Sequence, residues 1–241
     1  MQAKSSRLIL GLTLSAFALV WVPTPAGATT PTCFGQPATI VGSGNIDGTK
    51  NADVIVGSSG PDVIDGRGGD DLICALGGSD RIDAGNGNDM VDGGGGPDLL
   101  IGGRGNDLLM GRGGDDELRG AKGADSFQGG SGTDEVNFFF DFPFDPSCYV
   151  TVSLAAGTSD GPCFGHDTLT GIENVRGSWG DDIITGNDGP NVLDDGGGSA
   201  DQVFGQAGDD SLVGHGGSDS ADGGDGTDSC QNFGSTVNCE S

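Results

Sequence analysis

Between residues 55 and 136 one apolar residue recurs at every ninth position: Ile55, Ile64, Ile73, Ile82, Val91, Leu100, Leu109, Leu118, Phe127 and Val136. Its two neighbours are mixed in character. The six residues between successive triplets are rich in Gly and Asp. A period of nine fits neither the 3.6-residue repeat of a helix nor the alternation of a long strand. It fits a three-residue strand with its middle side chain inward, followed by a six-residue turn.

Read from Gly48, the chain divides into ten nine-residue motifs without a gap. The first position is Gly in eight motifs and Ala in two, Ala75 and Ala84. The fourth is Gly in nine, with Asn51 the exception. The sixth is Asp in all ten: Asp53, Asp62, Asp71, Asp80, Asp89, Asp98, Asp107, Asp116, Asp125 and Asp134. A second array begins at Gly177, with Asp182, Asn191, Asp201, Asp210, Asp219 and Asp228 at the sixth position. Its eighth positions are Ile184, Leu193, Val203, Leu212, Ala221 and Cys230. Asp195 is a one-residue insertion between its second and third motifs.

One motif cannot bury a single apolar side chain. Stacked motifs can, through strand ladders between coils about 4.8 Å apart. Two motifs make one coil, so equivalent residues recur every eighteen. The expected fold is all-β: a parallel β-roll (a β-helix-like solenoid) of nine-residue repeats, two per coil, in two arrays separated by an irregular spacer. Stacking sets Asp62 near Asp80 and Asp71 near Asp89. Unpaired carboxylates at that spacing repel. Ca2+, which takes six to eight oxygen ligands from carboxylates and carbonyls, resolves the conflict and becomes part of the fold.

Composition agrees. Of 36 acidic residues only Glu117, Glu135, Glu173 and Glu240 are Glu, so a short carboxylate is specifically required. The net charge of −26 argues against nucleic acid or an anionic membrane as partner. Residues 1–28 have the form of a secretory signal peptide: Lys4 and Arg7, the apolar run Leu8–Val22, then Ala26-Gly27-Ala28. Its removal would leave a secreted, extracellular chain that inserts in no membrane. The expected organisation is 1–28 signal peptide, 29–47 N-terminal cap, 48–137 first array, 138–176 spacer, 177–231 second array and 232–241 tail.

The motif GGxGxDxUx resembles the RTX, or hemolysin-type, calcium-binding nonapeptide repeat. The segment Val152–Ser178, with HDTLTGIENVRGS, is similar to stretches that interrupt or introduce such arrays. The resemblance implies several Ca2+ ions between turns of adjacent coils. Their ligands would be the ten Asp of the first array together with Asp182, Asp201, Asp210, Asp219 and Asp228, and Asn191 would mark a weaker or vacant position. An N-terminal signal and six Cys set this chain apart from familiar exported toxins and proteases. It looks closer to small secreted bacterial repeat proteins.

An even number of Cys suits an oxidising compartment. Of fifteen possible pairings, Cys33–Cys74, Cys148–Cys163 and Cys230–Cys239 are favoured by position. The outward residues fall on two faces. One is apolar (Val54, Val56, Leu72, Cys74, Met90, Leu108, Met110), and segment 31–46, tied at Cys74, is expected to cover it. The aromatic run FFFDFPFDP at 138–146 is expected to cap the open end of the first array.

No HExxH motif, nucleophile elbow, P-loop, helix-initiating GxGxxG or EF-hand loop is present. The stretches outside the repeats are short for a catalytic domain. The expected function is therefore structural or binding, not enzymatic. A cell-surface adhesin or partner-binding module with the roll as a rigid spacer is the alternative.

Overall fold

A computed structural model describes residues 30–139, 145–198 and 200–240. The expected signal peptide, and Phe140, Phe142, Pro143 and Phe144 of the aromatic run, lie outside the described residues. The described architecture belongs to the unit Pro31–Ser241. Among the described residues there is no helix, and short strands stack almost entirely in parallel into one ten-stranded and one thirteen-stranded sheet.

Successive motifs alternate between the sheets, so each strand pairs with the strand two motifs away. Leu100 lies opposite Ile82 on one side and Leu118 on the other. Leu109 lies between Val91 and Phe127. This is the eighteen-residue coil. Every eighth-position residue from Ile55 to Ala221 is buried and packs into one core column running between the sheets.

The strands exceed the expected three residues in the interior of the roll. Arg81–Asn86, Leu99–Arg104 and Glu117–Lys122 each span six. Pairing skips the first motif position and resumes at the second, as in Ile101 with Asp83 and then Gly103 with Gly85. The chain kinks at that skipped residue, and only positions four to six form the tight turn. Glycine explains the tolerance: backbones of adjacent coils touch there. A Cβ on Gly105, whose φ is +125°, would land on the carbonyl of Gly87 one coil away.

The N-terminal segment does two jobs. The antiparallel pair Thr32–Cys33 and Gln36–Pro37 lies beside the strands Val54–Val56 and Leu72–Cys74, and the Cys33–Cys74 disulfide fixes it there. Val56 beneath it is buried. Residues 40–47 do not cover that face. Ile40–Val41 and Asn45–Asp47 pair in parallel with Val54–Val56 and Val63–Asp65, adding a coil ahead of the first motif, and Ile46 joins the core. This coil has no nonapeptide spelling, so periodicity alone does not reveal it.

The spacer is not a cap. Asn174–Arg176 pairs with Glu135–Asn137 on one side and Val192–Asp194 on the other, so one sheet runs unbroken from the first array into the second. In the other sheet Thr151–Ser153, Thr158–Gly161 and Gly165–Thr170 form an antiparallel insert bridging Ser126–Ser131 to Ile183–Thr185. Phe138 and Phe164 are buried in edge-to-face contact at 5.1 Å, filling the space where the insert departs from the regular coil. Cys148–Cys163 and Cys230–Cys239 are bonded, as their positions suggest.

Gly105→Ala should destabilise the calcium-saturated protein by at least about 3 kcal/mol, through strain at positive φ and backbone collision. Gly95→Ala meets no atom within 4 Å and should stay within about 0.5 kcal/mol of the parent. Denaturant unfolding of both variants checks the contrast.

Candidate metal centre

All fifteen Asp expected as ligands are buried, the most exposed being Asp53 at 7%. They stack in rows along the edges of the roll, one residue per coil. In each row Oδ1 of one Asp accepts the backbone N–H of the Asp one coil earlier. In the first array, from Asp53 accepted by Asp71 to Asp116 accepted by Asp134, these bonds are 2.7–2.9 Å. In the second array Asp182, Asn191, Asp201 and Asp210 donate in the same way to Asp201, Asp210, Asp219 and Asp228.

The second oxygen divides the turns into two kinds. In one, it accepts the N–H of position two in its own motif: Thr49 to Asp53, Ser58 to Asp62 and Ser178 to Asp182, at 2.5–2.7 Å. Asn191 accepts from Asn187 likewise, at 2.9 Å. Position two in these turns is Ser, Thr or Asn, and its side-chain oxygen accepts the N–H two residues on. That local ring points its own N–H at the carboxylate. Asn191 adds a neutral substitute for a cation, since its Nδ2 donates to the Glu173 carbonyl at 2.7 Å.

In the other kind, Oδ2 is buried with no hydrogen-bond partner. This holds for Asp71, Asp80, Asp89, Asp98, Asp107, Asp116, Asp134, Asp201, Asp210, Asp219 and Asp228. In most of these turns position two is left-handed, which turns its N–H away. Where that residue is not Gly it is Arg67, Leu76, Arg112 or Gln206, with φ between 72° and 83°. A non-glycine residue there costs about 1–2 kcal/mol.

A buried carboxylate with one free oxygen must gain a proton or a cation. Burial pushes Asp71, Asp98, Asp107 and Asp201 up to about 7, and Asp89 and Asp134 to about 6, with neighbouring carboxylates adding to the rise in most of them. The available donors are oxygens, which suit a hard cation such as Ca2+. The free Oδ2 of one coil and that of the next would hold it, and its charge would replace the missing proton.

Three acidic residues outside the motif register complete the rows. Asp167 Oδ1 accepts from Asp125, Glu173 Oε2 from Asp134 and Glu240 Oε2 from Asp228, at 2.5–2.9 Å. The scarcity of Glu was the signal in the sequence: two of only four finish a row. Contrary to the expectation that no nucleophile-elbow spelling is present, Gly157–Gly161 reads GxSxG, yet Thr158–Gly161 is an antiparallel strand and not a strand-to-helix turn. Ser159 is buried and donates to Asp167 Oδ2 at 2.7 Å, while His166 faces Asp160 at 3.6 Å with both side chains exposed. The pieces of a triad do not meet.

A solenoid whose buried carboxylates wait for hard cations is a calcium-binding repeat roll. A family model for the RTX calcium-binding nonapeptide repeat matches residues 47–82, 75–100, 101–136, 176–199 and 195–230, more than half of the chain. The chain belongs to that family. A search of curated proteins finds no match.

The raised pKa values fix the sign of a pH effect in the absence of divalent cations. An Asp near 3.9 unfolded and near 7 folded stabilises the fold fully below about pH 4, and that contribution disappears as pH rises through about 7. With chelator present, the β signal in circular dichroism should be larger at pH 5 than at pH 8. Equal or reversed signals would contradict the account.

Proposed function

We propose that the chain is an exported structural calcium-binding protein without catalysis of its own, whose roll forms as Ca2+ enters the open turns. The observation that carries this reading is the set of buried Oδ2 atoms with no partner, repeated coil after coil. Burying each as an unpaired anion costs several kcal/mol. Neutralising them cooperatively links ion binding to folding, because the site does not exist in the unfolded chain.

The two kinds of turn divide the work. Asp53 and Asp62, near the start of the roll, are satisfied by N–H groups, and the Cys33–Cys74 disulfide ties the N-terminal segment, which lies beside Val54–Val56, to the following coil. That end holds together without ions and offers a template for the ion-dependent coils that follow. Export is supported by the signal-like segment at 1–28 and by three disulfides, which persist in oxidising surroundings.

Circular dichroism of the purified chain in chelator and then in millimolar Ca2+ tests the reading. A cooperative gain of β signal and a rise in melting temperature are expected. Asp107→Asn should raise the calcium concentration at the folding midpoint several-fold. A spectrum and melting temperature indifferent to calcium would sink the proposal.

A further inference from the structure

The one-residue insertion Asp195 breaks the repeat and lands in the fold at a telling place. Its backbone N–H donates to the Val213 carbonyl at 3.0 Å, as Gly177 donates to Asp194 and Gly186 to Phe204. Asp195 therefore occupies the first position of its coil, and the turn after it is one residue longer. In regular turns a Cβ at the first position collides with the sixth-position carboxylate, as at Gly177 against Asp182 and Gly93 against Asp98. A side chain at this position is thus aimed at the sixth-position Asp. Here the longer turn gives it room.

The result is a cluster of three buried carboxylates. One oxygen from each of Asp195, Asp201 and Asp219 lies within 4.8 Å of the other two. Asp195 is fully buried, and Asp201 and Asp219 are each 1% exposed. Oδ1 of Asp201 and of Asp219 is used by the ladder, and Oδ2 of both has no partner. The group against Asp195 is His215: its backbone N–H donates to Asp195 Oδ2 at 3.1 Å, and its Nδ1 lies 3.0 Å from Asp195 Oδ1 and 3.2 Å from Asp194 Oδ1. Its ring is partly exposed and is shared between those two acids.

We propose that Asp195, Asp201 and Asp219 form a distinct three-carboxylate site for Ca2+, the tightest on the chain. The inference rests on the calcium reading above. Regular open turns offer two carboxylates to an ion, one from each of two coils. This one offers three, and affinity at all-oxygen sites rises with the charge of the ligand set. The all-oxygen donors favour a hard divalent or trivalent ion over a soft one.

Trp179 makes the site addressable. It borders the longer turn, sharing a groove with Gly196, Gly197 and His215. The other tryptophan is Trp21, so Trp179 is alone in the full chain carrying Trp21→Phe. Terbium replaces calcium at oxygen sites, and light absorbed by Trp179 sensitises the nearest ion most strongly, because energy transfer falls steeply with distance. Terbium-loaded protein is mixed with excess chelator. Emission excited directly reports all bound ions, and emission excited through Trp179 reports chiefly this site.

The Trp179-sensitised signal should decay at least ten-fold more slowly than the directly excited signal. Asp195→Asn should bring the two rates together while the calcium-induced β signal is retained. Coincident decays in the parent overturn the inference, as does an unchanged slow phase in Asp195→Asn. If that variant does not fold, the parent traces alone decide. Absence of any calcium response in circular dichroism would instead be a failure of the calcium reading.

Discussion

Two carboxylates one coil apart, both withdrawn from water, govern this molecule. The strand ladders set the distance between coils, and at that distance each sixth-position backbone N–H bonds the Oδ1 of the Asp one coil on. That bond stabilises the ladder and creates its difficulty, because it anchors one oxygen of each carboxylate and leaves the other facing its neighbours. Desolvation is the largest cause of the raised pKa values along the rows. The turns differ in what meets that oxygen: a backbone N–H at Thr49, Ser58 and Ser178, an amide in place of the carboxylate at Asn191, and no protein group at the open turns.

The core column follows from the same stacking. A single Ile or Leu per motif buries little alone, but each contacts its equivalents above and below, and the column is continuous from Ile46 to Ala221. The spacer shows how strict this continuity is. It departs from the repeat for an entire antiparallel insert, yet Val152, Leu169 and Val175 keep the column filled, and Asp167 and Glu173 keep both rows closed. Interruption in the sequence is therefore not interruption in the roll.

Much of this was legible in the sequence, because a period of nine with Asp and an apolar residue in fixed phase admits few arrangements. The parallel coil, its eighteen-residue register and the inward eighth position follow from spacing, whereas the disulfide partners were only favoured among fifteen pairings until the fold brought each pair together. Other features carried no spelling. Ile40 and Ile46 form a coil without a nonapeptide. The spacer strands obey the ladder through pairing partners far away in sequence. The division of turns into open and self-satisfied was present in position two, as Ser, Thr or Asn against Gly, Arg, Leu or Gln, with His215 before Asp219 the exception that is open without being left-handed. It takes the backbone angles to show that the first group aims its N–H at the carboxylate and the second turns it away.

Glu240 shows what an extra methylene does. Its backbone lies opposite Ser229, one residue beyond the place of a regular sixth-position Asp, and its longer arm reaches back to the N–H of Asp228. Carboxylate length thus absorbs a one-residue slip in register, and a tail with no repeat of its own can seal the roll. What that tail recognises is a single amide at the end of a row. The fitting asks for that amide alone, so it does not depend on how many coils are stacked before it.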